Sequence, residues 1–122
     1  MPYIFEIHKN AENGRYFFLF KNTDDGTAYA RSGQYPQKKS VERGIAAIKK
    51  NCQQRNRYEE LIHNDKYFFK IKSGNGQVVA VSKDFDSKAE RQDAIYLMND
   101  YAVEAPTVIV DLDADGADAD RV

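Results

Sequence analysis

Cysteine and long apolar runs are nearly absent from this sequence, and each absence excludes a class of protein. The 122 residues include one cysteine, Cys52, and two histidines, so no internal disulfide can form and no Cys/His cluster offers a zinc site. No apolar stretch approaches the roughly 20 residues of a membrane-spanning helix, and the first residues lack the pattern of a secretion signal. The composition therefore predicts a cytoplasmic protein with no membrane contact and no cofactor.

Net charge is also small, because 18 basic side chains oppose 19 acidic ones. This balance conceals a partition along the chain. Residues 111–122 contain five aspartates and one arginine, a charge of −4, whereas residues 1–110 contain 17 basic and 14 acidic side chains, a charge of +3. We therefore expect one mildly basic domain at residues 1–111, followed by an acidic, flexible tail at residues 112–122.

Two similar aromatic runs show that the chain contains an internal repeat. Residues 15–21 have the sequence RYFFLFK, and residues 66–72 have the sequence KYFFKIK. A self-similarity of about 50 residues indicates two copies of one supersecondary unit. Because a unit of this size buries too little apolar surface alone, we expect repeat 1 (residues 3–56) and repeat 2 (residues 57–111) to share one core.

Each repeat has the pattern of three strands followed by a helix. Val41, Ile45, Ile48 and Cys52 recur at helical spacing, which is typical of a helix face that packs on a sheet. Gly-containing turns join the second and third strands of each repeat. We predict strands at residues 3–8, 15–21, 27–32, 58–62, 66–72, 77–82 and 107–111, and helices at residues 38–51 and 88–101.

The order of these motifs resembles the YegP-like proteins, the DUF1508 or UPF0339 family. The shared residues of repeat 1 are Ala30, Ser32, Tyr35, Lys38 and the Gly44–Asn51 stretch, and repeat 2 keeps Ala80, Ser82, Phe85, Lys88 and Ile95. Ala94 stands in repeat 2 where the family pattern has glycine. The resemblance implies a tandem-repeat α+β fold in which two β3-α-β repeats form a single antiparallel sheet, with both helices on one face and swapped C-terminal strands. The family brings no established activity, so the resemblance implies no catalytic residue.

The residues that are chemically capable of catalysis or metal binding have simpler interpretations. Cys52 lies on the apolar helix stripe, which favours a buried structural thiol over a nucleophile. Ser32 and Ser82 recur at strand ends, where hydroxyls commonly satisfy backbone groups. Asp111–Gly116 resembles the start of an EF-hand loop, but its position 12 falls on Val122 and no flanking helices are predicted. We therefore expect neither a catalytic site nor a calcium site.

Strand alternation predicts which side chains the helices leave uncovered. If Phe18 and Phe20 face the helices, Phe17 and Leu19 face the opposite side, where Tyr29 and Val79 are also expected. The resulting candidate interaction surface interleaves aromatic or aliphatic residues with cations. A single bulge would reverse the alternation. The surface comprises Arg15, Phe17, Leu19, Lys21, Tyr29, Arg31, Lys66, Phe68, Lys70 and Lys72.

Three interpretations of this surface remain open at the level of sequence. The absence of any catalytic motif favours a non-catalytic protein-interaction or structural module, either monomeric or a weak homodimer. Aromatic residues among cations are also found in single-strand nucleic-acid binders, although a body charge of +3 is small for that class. The third interpretation is that the surface has no partner and that lysines only keep an exposed sheet soluble.

Overall fold

Seven strands form a single sheet in the computed structural model, which describes residues 2–110. The predicted acidic tail and the calcium-loop hypothesis lie outside the described residues. The order of the elements matches the sequence prediction closely. They are β1 (Tyr3–Lys9), β2 (Tyr16–Asn22), β3 (Ala28–Ser32), α1 (Lys38–Asn51), a 3-10 turn (Arg55–Arg57), β4 (Tyr58–His63), β5 (Lys66–Lys72), β6 (Val78–Ser82), α2 (Lys88–Tyr101) and β7 (Thr107–Ile109).

The two repeats meet at the centre of the sheet. The strand order is β4-β5-β6-β3-β2-β1-β7, and β3 of repeat 1 pairs antiparallel with β6 of repeat 2, with Arg31 opposite Val81. Each repeat therefore contributes three adjacent strands to a continuous sheet, and β7 of repeat 2 is added beside β1. The predicted α+β fold, built from two repeats that share one sheet, is confirmed.

The final strand differs from the prediction in two ways. β7 pairs parallel with β1, so the sheet is mixed rather than wholly antiparallel. Only repeat 2 has a separate final strand, because residues 52–57 lead directly from α1 into β4. A parallel strand placed before β4 would need a crossover of a dozen or more residues, and this connection is too short. The strand exchange therefore runs in one direction, from repeat 2 to repeat 1.

Aromatic and aliphatic side chains between the sheet and the two helices form the core. The apolar stripe of α1 is buried as predicted, and the Cys52 side chain at its end is fully buried, which raises the pKa of the thiol. The equivalent stripe of α2 is also buried. The largest completely buried side chains are Phe5, Ile7, Phe18, Phe20, Val41, Ile48, Phe69, Ile71, Ile95 and Met98.

The two helices differ in how their first turns are capped. The Ser87 hydroxyl accepts a hydrogen bond from the Glu90 backbone N–H at 3.1 Å, and the Glu90 carboxylate accepts one from the Asp86 backbone N–H at 2.9 Å. Gln37, at the start of α1, makes no side-chain cap hydrogen bond. These bonds satisfy N–H groups that the first helical turn otherwise leaves unpaired.

A β-bulge interrupts the pairing of the second and third strands in each repeat. In repeat 1, Phe20 pairs with Ala30 and Lys21 pairs with Ala28, so Tyr29 is an extra residue. In repeat 2 the same shift leaves Val79 as the extra residue. A bulge places two successive residues opposite one residue of the partner strand and so breaks the alternation of faces.

The bulges turn Tyr29 and Val79 toward the helices. Tyr29 packs against the core, with its ring centroid 6.4 Å from that of Tyr3. Val79 is buried within the core. The prediction that both residues face away from the helices is therefore wrong, because strict alternation does not hold across a bulge.

The two recurring serines satisfy backbone groups where the third strands end. The Phe18 N–H donates to the Ser32 hydroxyl at 2.9 Å, and that hydroxyl donates to the Gly33 carbonyl at 2.7 Å. In repeat 2 the Phe69 N–H donates to the Ser82 hydroxyl, also at 2.9 Å. Both serines are buried. The structure confirms the backbone-satisfying role that the sequence predicts for them.

Replacing either serine should destabilise the protein. We expect Ser32→Ala and Ser82→Ala each to lower the free energy of unfolding by about 1 kcal/mol, because a buried backbone N–H loses its acceptor. Urea denaturation followed by circular dichroism measures the effect. Ser40→Ala, in the first turn of α1, is the matched control and should leave stability nearly unchanged. Equal stability of the Ser32→Ala and Ser40→Ala proteins would contradict the assignment.

Candidate functional site

The sheet surface opposite the helices is the candidate functional site, and we call it the open face. Buried Phe18 and Phe20 point from β2 toward the helices, so Phe17 and Leu19 lie on the open face. Among residues 2–110, no helix packs on this side. Of the ten residues predicted for the surface, Tyr29 is on the helix side and Arg15 and Lys66 are at the strand starts. The open face itself holds Phe17, Leu19, Lys21, Arg31, Phe68, Lys70 and Lys72.

One row of directly paired residues crosses all seven strands of the open face. Residues that are paired across neighbouring strands project from the same side of a sheet. Lys70 pairs with Val81, Val81 with Arg31, and Arg31 with Leu19, so cations and aliphatic side chains alternate at the centre. We call this line of residues the central row. From β4 to β7 it consists of Glu59, Lys70, Val81, Arg31, Leu19, Glu6 and Val108.

The alternation arises because the two repeats differ at equivalent positions. Leu19 of repeat 1 corresponds to Lys70 of repeat 2, and Arg31 corresponds to Val81. Neighbouring strands are about 4.8 Å apart, so the backbones of Arg31 and Lys70 are about 10 Å apart. The centre of the open face therefore presents two cations, each next to an aliphatic side chain.

Both glutamates of the central row already have cationic partners within the chain. Glu6 accepts from His8 Nε2 at 2.9 Å and lies 3.4 Å from Lys21 Nζ. Burial raises the pKa of Glu6, but these hydrogen bonds and charges outweigh it, so the pKa lies below the usual 4.5. These contacts of the ionised Glu6 therefore stabilise the folded state. This contribution is fully present above the unfolded-state pKa of Glu6 and is lost as the pH falls through its folded-state pKa. Glu59 lies 3.1 Å from Lys72 Nζ.

These ion pairs distinguish Arg31 and Lys70 from the other cations of the open face. Lys21 and Lys72 are occupied by the two glutamates, and Lys66 pairs with Asp86 at the end of the sheet. Within residues 2–110, neither Arg31 nor Lys70 has a carboxylate at ion-pair distance. The centre of the open face is consequently its most positive part.

Phe17 is enclosed by its neighbours on the adjacent strands. The His8 ring on β1 stacks on Phe17 with centroids 5.3 Å apart and an interplanar angle of 11°. The Arg31 guanidinium on β3 lies 4.1 Å from the Phe17 centroid. Because β2 lies between β1 and β3, these groups approach the ring from both sides. Little of the Phe17 ring face remains for stacking with a ligand.

Aliphatic residues add exposed apolar area that sequence reasoning missed. Val78, Val81 and Val108 are 47%, 37% and 43% exposed. The bulge places Val78 opposite Lys72, on the open face. Alternation could have identified Val81, because Arg31, its equivalent in repeat 1, was assigned to the open face. No sequence signal would have found Val78, because its position depends on the bulge.

Two grooves on the helix side occupy equivalent positions in the repeats. One has a volume of about 360 Å³ and is lined by Tyr29, Phe85 and Asp93. The other has a volume of about 300 Å³ and is lined by Val79, Tyr35 and Arg43.

The described residues contain no group of histidine, cysteine or carboxylate side chains placed to hold a metal ion. No helix within residues 2–110 is long and apolar enough to cross a membrane.

Comparison with known protein families finds two consecutive matches along the chain. The family model described as "Domain of unknown function (DUF1508)" matches residues 11–59 and again residues 63–108. These two segments agree with the repeats that are visible in the sequence and in the sheet.

Similar proteins and solved structures come from several bacteria. A UPF0339 protein encoded in the 5' region of the ptx operon of Stutzerimonas stutzeri is 35% identical over 107 residues, covering 87% of this chain and 95% of the relative. YegP of Yersinia pestis is 37% identical over 89 residues, covering 71% and 78%.

Two solution NMR structures have the same fold. That of Escherichia coli YegP, a protein of unknown function, matches with a TM-score of 0.81 and 25% identity over 89% of this chain and 93% of that chain. A UPF0339 protein of Shewanella oneidensis matches with a TM-score of 0.81 and 24% identity over 89% and 92%.

Proposed function

We propose a function for this chain from the premise that it belongs to the DUF1508 family, which is described as a domain of unknown function. The chain is a non-catalytic cytoplasmic interaction module, and its open face binds an acidic surface of a partner protein. The observation that carries this proposal is the centre of the row, Lys70–Val81–Arg31–Leu19, where cations without an ion-pair partner alternate with aliphatic side chains.

Charge decides the chemistry of the partner. The glutamates of the central row are held by their own lysines, so they do not offset Arg31 and Lys70. A second copy stacked face to face would bring like charges together, which is unfavourable. A carboxylate-bearing surface with apolar side chains between the acids would complement both the cations and the valines.

The geometry favours a protein over a single-stranded nucleic acid. Nucleic-acid binders of this type use free aromatic faces on which successive bases stack. Phe17 is flanked by His8 and Arg31, so its faces are already occupied. Phe68 alone provides one platform rather than a series. The described residues of the open face therefore lack the series of free aromatic faces that single-strand binders use.

Three probes distinguish these possibilities. One is a short peptide that alternates glutamate with leucine, the second replaces every leucine with serine, and the third is oligothymidylate. We expect the leucine-containing peptide to bind about tenfold more tightly than the serine-containing one, because only the former covers the aliphatic side chains. Fluorescence anisotropy with the full chain, at two salt concentrations, measures the affinities.

The other outcomes reject the proposal. Equal affinity for the two peptides would show charge attraction without a specific site. Tighter binding of oligothymidylate than of either peptide would favour the nucleic-acid function. No binding of any probe at low salt would leave the open face without a partner of this chemistry.

A further inference from the structure

The two edges of the sheet differ in whether a further strand covers them. On the repeat 1 side, β1 is covered by β7: the Phe5 N–H donates to the Pro106 carbonyl at 2.9 Å, and the Val110 N–H donates to the Ile7 carbonyl at 2.9 Å. On the repeat 2 side, β4 is the last strand among the described residues. Among residues 2–110, a covering strand therefore lies on one edge of the sheet only.

The pairing of β1 with β2 and of β4 with β5 shows which residues of β1 and β4 are equivalent. Phe5 and Ile7 pair with Phe20 and Phe18 of β2, and at the equivalent positions Tyr58 and Glu60 pair with Ile71 and Phe69 of β5. Phe5 and Ile7 point their backbone groups outward to β7. Backbone directions alternate along a strand, so Tyr58, Glu60 and Ile62 point theirs away from β5.

The first of these outward groups is already satisfied. The Tyr58 N–H donates to the Arg55 carbonyl in the 3-10 turn, which takes the place that the Pro106 carbonyl has on Phe5. Beyond the turn, no described strand lies beside β4. The Tyr58 carbonyl and both backbone groups of Glu60 and Ile62 therefore form a short unpaired edge among the described residues.

The two charged residues of this edge strand, Glu59 and Glu60, are both ion-paired within the chain, and the strand has no proline, lysine or bulge. Edge strands are commonly protected by proline, lysine or a bulge. β4 has the sequence YEELIH, and its register against β5 is continuous from Tyr58 to His63. The Ile62 side chain is 57% exposed beside the unpaired groups. A strand end without a bulge and with an exposed aliphatic residue is suited to receive another strand.

We propose that the edge of β4 from Glu60 to His63 binds an extended segment of a partner protein as a parallel eighth strand. The chemistry of the segment follows from β7, which the chain places on the equivalent edge: threonine and β-branched aliphatic residues, as in Thr107–Val110. Main-chain hydrogen bonds give affinity in this mode of recognition, and alternate side chains give specificity. The site is separate from the open face and does not depend on the acidic-partner proposal.

The chain's own strand provides a probe. A synthetic peptide with the sequence of residues 104–110 is added to the full-length, 15N-labelled protein, and amide shifts are followed by NMR. We expect the largest shifts at the Glu60 and Ile62 amides, because both point outward and can gain a hydrogen bond, and smaller shifts at their neighbours. The same peptide carrying Val108→Pro should bind about tenfold more weakly, because proline cannot donate to the ladder.

A variant pair tests the position of the site. Ile62→Pro removes the outward N–H without breaking the pairing with β5, and it should weaken peptide binding about tenfold. Ile62→Thr keeps both the N–H and the β-branched shape, so it should bind like the unchanged protein. Circular dichroism confirms that both variants are folded.

Four results would overturn the proposal. If Ile62→Pro leaves peptide binding unchanged, the peptide binds elsewhere. Shifts confined to β1 would also place it elsewhere, because they would show that the peptide had displaced β7. Shifts at Ile62 that grow with protein concentration without peptide, and vanish in Ile62→Pro, would show that a second copy takes the edge. No shift at millimolar peptide would show that β4 accepts no strand of this chemistry.

Discussion

Gly44→Ala is expected to lower the free energy of unfolding by about 2 kcal/mol, even though alanine is a better helix former than glycine. Gly44 lies in the middle of α1 and is buried. A Cβ atom there would lie 2.5 Å from the Tyr35 hydroxyl oxygen and 3.1 Å from the Phe18 ring. The helix can accept alanine only if the Tyr35 ring moves.

The backbone of Tyr35 is held in place, so its ring can yield only by changing its side-chain angles. Its backbone N–H donates to the Tyr16 carbonyl at 2.7 Å, and its carbonyl accepts from the Tyr16 N–H at 2.8 Å. These bonds fix the residue beside β2. Overpacking of this kind typically costs about 1 to 3 kcal/mol, which exceeds the gain of at most about 1 kcal/mol in helix propensity.

The second repeat shows how the conflict is avoided. Phe85 occupies the position of Tyr35 and has no hydroxyl, and Ala94 occupies the position of Gly44. Both residues are buried, and the Phe85 ring stacks on Phe69 with centroids 6.4 Å apart. Tyrosine with glycine and phenylalanine with alanine are therefore compensating pairs.

A double-mutant cycle measures this coupling. Tyr35→Phe alone should change stability little, because the ring is half-buried and its hydroxyl has no hydrogen-bond partner among the described residues. Combined with Gly44→Ala, it should recover about half or more of the lost stability, an interaction of about 1 kcal/mol. In repeat 2, Phe85→Tyr should destabilise the protein, and adding Ala94→Gly should reduce the loss. Strict additivity of the two substitutions in urea denaturation would contradict the explanation.

The Tyr35–Gly44 pair also shows why the contact between these positions could not be predicted from the sequence. Ala94 appeared as a departure from the family pattern, because the distance between residues 35 and 44 in the folded chain is not visible in the sequence. Periodicity located the helices and strands well, since it reports which face each element buries. Contacts between elements depend on their packing, which periodicity does not report.

The bulges and the last strand mark the other limits of prediction. Tyr29 was assigned to the wrong face because one extra residue reverses the alternation. The parallel direction of β7 depends on which edge the chain reaches after α2. The open face was largely predictable, because Phe17, Leu19, Arg31, Phe68 and Lys70 lie in uninterrupted stretches of strand. The ion pairs of its two glutamates, Glu6 and Glu59, were not predictable, because their lysine partners become apparent only when the strands are paired.

Reversing the charge of the two central cations should strongly weaken binding of the acidic, leucine-containing peptide. We expect Arg31→Glu combined with Lys70→Glu to weaken it by about 100-fold, because two attractive contacts become repulsive at the centre of the interface. The matched control is Lys39→Glu combined with Arg43→Glu on the exposed surface of α1, which changes the net charge by the same amount. Fluorescence anisotropy at fixed salt compares the two proteins directly.

The control separates a site from a general charge effect. Long-range attraction depends on net charge and is screened by salt, so it would weaken binding equally in both variants. A local site predicts a large loss only when the open face is altered. Arg31→Glu also removes the guanidinium from the Phe17 ring, a contact worth about 0.5 to 1 kcal/mol of stability. Arg31→Gln with Lys70→Gln, which adds no repulsion, should therefore bind with intermediate affinity while both pairs remain folded. Equal losses for the open-face and α1 pairs would leave the central row with no special role in binding.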